Sequence, residues 1–78
     1  MVTYDANVVM HIDEKLTNEQ IHEIEKQLSS VDGVTSACVH VRTPHLFVID
    51  YDPELTHTGQ LLQEVKSRRL SAQLVGGL

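Results

Sequence analysis

Four short segments of the 78-residue chain predict β-strands, three from alternating hydrophobic and polar residues and the third segment from its aromatic and β-branched composition. The clearest is "NVVMHID" (7–13), where Val8, Met10 and Ile12 share one face of the predicted strand. The other three predicted strands span residues 34–42, 45–52 and 70–75. Between the second and third strands, the "TPH" triplet at 43–45 predicts a tight connection.

Two segments between the strands carry apolar residues three or four positions apart, the spacing of a helix with one buried face. In the first segment these residues are Ile21, Ile24, Leu28 and Val31. In the second segment, which begins near Thr56 or Thr58, they are Leu61, Leu62 and Val65. Asp32-Gly33 is predicted to stop the first helix, because glycine adopts a positive φ at a helix end without steric cost.

The predicted element order is βαββαβ, within a single domain that spans residues 1–78. Right-handed crossovers place both helices on one face of a four-stranded antiparallel sheet with strand order 4-1-3-2. The sequence therefore predicts an α+β fold, the ferredoxin-like sandwich. The other face of the sheet has no helix to cover it, and His11, Cys38 and His40 alternate onto that face.

Charge and composition narrow the classes of function. The net charge is −5 and only six residues are Lys or Arg, so we predict no nucleic-acid partner. The longest apolar runs are far shorter than the ~20 residues that cross a bilayer, so we predict no membrane insertion. A single cysteine excludes a disulfide framework and favours a cytoplasmic location.

Catalysis has no support in the residue pattern. No Ser-His-Asp or Cys-His set can be argued from the sequence, and Cys38 lies in mid-strand, away from a helix N-terminus that would activate it. The acidic residues near the first helix are interpreted as a solvated helix face; they are Glu14, Glu19, Glu23 and Glu25. We therefore predict that the protein is not an enzyme.

Two segments carry a resemblance to a known family. "IEKQLSSVDGV" (24–34), "VIDYDPELT" (48–56) and the strand order resemble the heavy-metal-associated domain family, which includes copper chaperones. The resemblance covers nearly the whole chain and implies a small metal-handling domain involved in metal transport. That family carries a Met-x-Cys-x-x-Cys loop before its first helix, and here the two cysteine positions fall on Thr17 and Gln20.

The residues at those two positions predict a structural role. Thr17 followed three residues later by Gln20 is a capping box, in which each side chain accepts a hydrogen bond from the other residue's backbone amide. Leu16 and Ile21 flank the box at the positions of a hydrophobic staple. We therefore expect "LTNEQI" to start a helix and to coordinate no metal.

Histidines and the cysteine suggest a different place for a metal. The predicted topology brings His11, His40 and His45 to one end of the sheet, and Cys38 shares the face of His40. Imidazole and thiolate ligands suit zinc or copper. The alternative is that these are polar residues without a ligand, since His11 and His40 start two strand spacings, about 9.6 Å, apart.

The uncovered face of the sheet also suggests a docking surface. Its predicted residues are Val9, Leu46, Val48 and Val75, interleaved with Asp50, Ser71 and Gln73. An apolar cluster on an exposed sheet often marks an interaction site, here for a homodimer or a metal transporter. The alternative function is therefore a protein-interaction or dimerisation module that has lost metal binding.

A second resemblance leads in a similar direction. "VVMHIDEKLTNEQIHEIEKQL" is similar to the βαββ unit in the cytoplasmic domains of cation-diffusion zinc transporters, although the second helix and fourth strand match that pattern less well. This resemblance also implies metal handling and a dimer.

Overall fold

The computed structural model describes residues 5–40 and 42–76. Val41 of the predicted second strand and both ends of the predicted domain lie outside the described residues. Along the chain the elements are β1 (Ala6–Ile12), α1 (Asn18–Ser29), β2 (Val34–His40), β3 (Thr43–Tyr51), α2 (Thr58–Lys66) and β4 (Ala72–Gly76). The strands form one antiparallel sheet in the order β2-β3-β1-β4. This is the predicted order 4-1-3-2 read from the other edge, and the ferredoxin-like fold is confirmed.

The core lies between the two helices and one face of the sheet. The alternating residues of β1 that were predicted to face the helices are buried, and so are most of the predicted apolar positions of α1 and α2. Val31 and Leu62 pack against the core but remain half-buried. The buried hydrophobic residues are Val8, Met10, Ile12, Ile21, Ile24, Leu28, Ala37, Phe47, Ile49, Tyr51, Leu61, Val65 and Ala72.

The tight connection predicted at residues 43–45 is wrong. These residues are the first three of β3, and His40 already pairs with Thr43. Proline is tolerated near the start of a strand, where no neighbouring strand needs its missing amide hydrogen. The connection is consequently shorter than predicted, and His45 belongs to a strand and not to a turn.

Gly33 marks the return of the chain from α1 to the sheet. Its φ is +98°, as predicted from its place after the helix, although α1 itself ends earlier, at Ser29. A Cβ atom at this position would lie 2.7 Å from the Cβ of Leu55, and the Gly33 carbonyl accepts a 2.6 Å hydrogen bond from the amide of Asp52. Both the backbone conformation and the close approach therefore require glycine.

Three of the four glutamates interpreted as a solvated face have partners in the protein. Glu23 on α1 forms a 3.3 Å ion pair with Arg68. Glu25 on α1 accepts a 2.8 Å hydrogen bond from the amide of Val39, at an irregularity in the β2–β3 pairing. Glu14, after β1, accepts a 2.8 Å hydrogen bond from the amide of Ser71, just before β4. This bond lowers the pKa of Glu14 below its ordinary value of 4.5, because it stabilises the charged carboxylate.

Neither α1 nor α2 is long and apolar enough to cross a membrane, and no other helix occurs in the described ranges.

Candidate functional site

The start of α1 is a complete capping box. Thr17 has an extended backbone, and its hydroxyl accepts a 3.1 Å hydrogen bond from the amide of Gln20. In return, the Gln20 side-chain oxygen accepts a 2.8 Å hydrogen bond from the amide of Thr17. Leu16 packs against the core, and Ile21 is buried in it. The prediction that these two polar residues cap the helix is confirmed.

The helix start is therefore a poor place for a soft metal ion. Its two candidate side chains supply neutral oxygens, whereas soft ions such as monovalent copper select thiolates. Those oxygens also already accept hydrogen bonds from backbone amides, which would be left without partners if the side chains turned to an ion. The residues present do not fit a thiolate-bound metal at this point of the fold.

Two of the four predicted ligands do come together, at the end of the sheet where β1 finishes. The rings of His11 and His45 stack with their centroids 5.9 Å apart and an interplanar angle of 30°. Simple alternation sets the two residues on opposite faces of the sheet. The rings meet because His45 reaches the backbone carbonyl of Ile12, the last residue of β1. We call His11 and His45 the histidine corner.

Each imidazole of the histidine corner has an oxygen beside its Nδ1 atom. In His45, Nδ1 lies 2.9 Å from the Ile12 carbonyl oxygen. Because a carbonyl only accepts, this nitrogen carries the hydrogen, and the neutral ring keeps a lone pair on Nε2. In His11, the buried Nδ1 lies 3.0 Å from Oδ1 of Asp13, although without good hydrogen-bond alignment to any described group. Metal-binding histidines commonly have such a carbonyl or carboxylate behind the ring.

The other two predicted ligands lie on β2, on the far side of β3. Cys38 is exposed and pairs with Val48, which in turn pairs with Val9 of β1. His40 is also exposed and pairs with Thr43 near the hairpin end. Two strand spacings, about 9.6 Å, thus separate these residues from His11 on β1.

Within residues 5–40 and 42–76, no three His, Cys, Asp or Glu side chains converge closely enough to hold a metal ion. The histidine corner is thus a pair of candidate ligands with an adjacent carboxylate. Sequence reasoning missed Asp13, although the "HID" pattern of residues 11–13 puts a carboxylate two positions after a candidate ligand, on the same side of an extended chain.

Two further histidines lie elsewhere, and one has a structural function. His57 is the N-cap of α2, and its Nδ1 accepts a 3.2 Å hydrogen bond from the amide of Gln60. His22 lies on the surface of α1 with 81% of its side chain exposed, 3.4 Å from a carboxylate oxygen of Glu25.

The sheet face opposite the helices carries a small apolar cluster beside the histidine corner. Val9 pairs with Val48, and Leu46 pairs with His11; all of these residues are half-buried. Val75 on β4 is more open, with 53% of its surface exposed. The cluster gives way to polar residues at Asp50, which accepts a 3.0 Å hydrogen bond from Ser36.

Solved structures with the same fold include several metal-binding domains. The N-terminal domain of a potential copper-translocating P-type ATPase from Bacillus subtilis, in its Cu(I)-loaded state, is 20% identical over 96% of this chain and 92% of its own, with a TM-score of 0.86. A copper-binding domain from the P-type ATPase HMA7 is 17% identical over 92% of this chain and 96% of its own, with a TM-score of 0.83. Oxidized MerP from Ralstonia metallidurans is 15% identical over 91% of this chain and 97% of its own, with a TM-score of 0.80.

These similarities confirm the predicted resemblance to heavy-metal-associated domains at the level of the fold. No protein-family model matches the chain, and no curated protein sequence matches it significantly. The chain is thus a ferredoxin-like domain with the architecture of these copper-binding domains, and with threonine and glutamine where the resemblance places cysteines.

Proposed function

We propose that this chain is a non-enzymatic, cytoplasmic metal-handling module that binds zinc or copper through the histidine corner, without a cysteine pair. The observation that carries the proposal is the geometry of His11 and His45. With bonds of about 2 Å from nitrogen, two imidazoles that share an ion have ring centroids up to about 6 Å apart. The centroids of His11 and His45 are 5.9 Å apart, so a shared ion requires these stacked rings to turn both Nε2 atoms toward it. Among described residues, neither Nε2 atom has a hydrogen-bond partner.

The fold supports the same class of function. Two of the similar structures are described as copper-binding or Cu(I)-loaded domains of P-type ATPases. In this chain a soft-metal thiolate site does not fit the start of α1, so a bound metal requires other donors. Imidazole nitrogen suits both zinc and copper, and because each Nδ1 lies beside a protein oxygen, Nε2 is the nitrogen of each ring that remains for a metal.

The proposal is tested by titrating the protein with Zn²⁺ while following its histidine side-chain NMR signals and the heat of binding. We expect the signals of His11 and His45 to move first. His45→Ala removes one of two ligands, and should weaken zinc binding by more than the about 10–100-fold that losing an outer-shell partner costs. His22→Ala is the matched control, since that side chain is exposed on α1. Unmoved signals at the histidine corner would overturn the proposal.

His40→Ala and Cys38→Ser test whether β2 contributes to the same ion. We expect each variant to bind zinc like the wild type, because β3 separates β2 from β1. A large loss of affinity in one variant would add that residue to the ligand set, and a loss in both would enlarge the set to the four residues His11, Cys38, His40 and His45.

A second candidate function is a protein-interaction module that has lost metal binding. It is favoured by the apolar cluster of Val9, Leu46 and Val48 on the uncovered sheet face, and its partner would be a second copy or a metal transporter. P-type ATPase domains among the similar structures are the reason to name a transporter. Sedimentation of the metal-free protein at high concentration tests self-association, which a strict monomer would exclude.

A further inference from the structure

The histidine corner supplies too few ligands for a complete zinc site. Zinc in proteins is held by four ligands in a tetrahedron, or by three protein ligands and a water. Here the described residues bring two imidazoles together, and no third His, Cys, Asp or Glu converges with them. Asp13 lies 3.0 Å from Nδ1 of His11, on the opposite side of the ring from Nε2, so its carboxylate does not face an ion bound at Nε2.

Local adjustment within the same chain does not bring in the missing ligands, because Cys38 and His40 lie on the other side of β3. An ion with bonds of about 2 Å does not span two strand spacings of about 4.8 Å each. A second copy meets no such barrier. The histidine corner lies where β1 ends, and 34% of the His11 side chain is exposed to an approaching molecule.

Symmetry favours a second copy as the source of the remaining ligands. In a two-fold dimer, a residue near the axis lies next to its own counterpart in the other copy. Two histidine corners that meet on the axis therefore provide four imidazoles, the number that a tetrahedral zinc ion requires. The half-buried Leu46, which pairs with His11, lies beside the axis in this arrangement and would lose further exposure to water.

The charge of the chain makes such a dimer dependent on the metal. Each copy carries a formal net charge of −5, so two metal-free copies repel one another. A divalent cation held by neutral imidazoles adds positive charge at the contact, where it offsets part of this repulsion.

We propose that zinc bridges two copies of this chain through His11 and His45 of each copy, giving one ion per dimer. This inference rests on the proposed function, because it assumes that the histidine corner binds metal. It goes further by assigning the second half of the site to another copy of the same chain.

The test combines sedimentation equilibrium with the stoichiometry of Zn²⁺ binding. Without zinc, we expect a monomer. With zinc, the average mass should double and saturate at half an equivalent of ion per chain, and excess zinc should begin to separate the dimer into singly loaded monomers. His45→Ala should remain monomeric at zinc concentrations that dimerise both the wild type and His22→Ala.

The outcomes distinguish this inference from the proposed function. A monomer that binds one equivalent of zinc would overturn the bridged dimer and leave metal binding at the histidine corner intact. No zinc uptake at all would overturn both. A zinc-dependent dimer that survives in His45→Ala but is lost in the Cys38→Ser/His40→Ala double variant would also overturn the bridge, because the ligands would then come from β2.

Discussion

The start of α1 and the histidine corner use their polar side chains in opposite ways. At the helix start, the hydroxyl of Thr17 and the amide oxygen of Gln20 each accept a hydrogen bond from a backbone amide. At the histidine corner, one nitrogen of each ring faces an oxygen of the protein, while the other has no hydrogen-bond partner among the described residues. The first arrangement stabilises the start of a helix, and the second leaves the Nε2 atoms available to bind a metal.

This difference shows that a polar side chain can bind an ion only if its oxygen or nitrogen atoms are not already used in hydrogen bonds. Threonine and glutamine at the helix start are satisfied, so an ion would have to compete with the hydrogen bonds that close the first turn. The imidazoles of His11 and His45 lose nothing of that kind when Nε2 binds a metal, because their contacts are made through Nδ1.

The largest effect is expected from Thr17→Cys/Gln20→Cys, which replaces the capping box with two thiols at a helix N-terminus. A helix N-terminus lowers the pKa of a cysteine, and a thiolate pair selects monovalent copper. We expect the double variant to bind Cu(I) tightly, whereas the wild type gains no such site at α1. Competition with a chromogenic Cu(I) chelator measures the difference.

The same variant should lose stability when it is free of metal. Loss of the threonine cap alone costs about 1 kcal/mol, and Cu(I) should more than restore this because binding to the folded state adds to its stability. Thr35→Cys/Ser36→Cys, with neighbouring thiols on β2, is the control for unspecific thiol binding. Equal Cu(I) affinity in the control would show that the position at the helix start has no special value.

Asp13→Asn tests the other side of the contrast. The carboxylate lies 3.0 Å from Nδ1 of His11, behind the ring, although the two groups are not aligned as a hydrogen bond. Losing such an outer-shell partner costs about 10–100-fold in metal affinity, and we expect the lower end, since 58% of the Asp13 side chain is exposed. Isothermal titration with Zn²⁺ measures the change. Asp32→Asn, an exposed carboxylate after α1, should leave the affinity unaltered.

Periodicity predicted the fold because the same residues that alternate in the sequence form the core. Val8, Met10 and Ile12 are buried on one side of β1, and the spacing of Ile21, Ile24 and Leu28 identifies the buried face of α1. The capping box was also predictable, since it depends on two residues three positions apart. Each of these features is local, and local patterns are what a single sequence displays.

The contacts that a single sequence does not display are those between distant residues. The bond from Glu25 to the amide of Val39 depends on how α1 packs against an irregular point of β2. The approach of His45 to His11 depends on where β3 begins, and the "TPH" triplet suggested a turn there. The sequence therefore predicted that His11 and His45 lie at one end of the sheet. It did not predict that their rings pair, or that a carboxylate and a carbonyl oxygen lie beside their Nδ1 atoms.

Thr17→Ala removes the cap and leaves the histidine corner untouched. We expect a loss of about 1 kcal/mol in the free energy of unfolding, which corresponds to about 4–8 °C in the melting temperature of a domain of this size. Zinc affinity should stay at the wild-type value. Thr17→Ser keeps the hydroxyl and should restore most of the stability. A simultaneous loss of zinc binding in Thr17→Ala would show that the helix cap and the histidine corner are not independent of one another.

Glu14→Gln should have the smallest effect, and its dependence on pH identifies the cause. The hydrogen bond from the amide of Ser71 lowers the pKa of Glu14 below 4.5. The charged carboxylate therefore stabilises the fold above that pH, and its contribution is lost as the pH falls through the lowered pKa. Wild type and Glu14→Gln should differ slightly in melting temperature near neutral pH and converge in acid. Glu54→Gln, at an exposed loop position, serves as the control. A difference that persists at low pH would assign the effect to packing of the side chain and not to its charge.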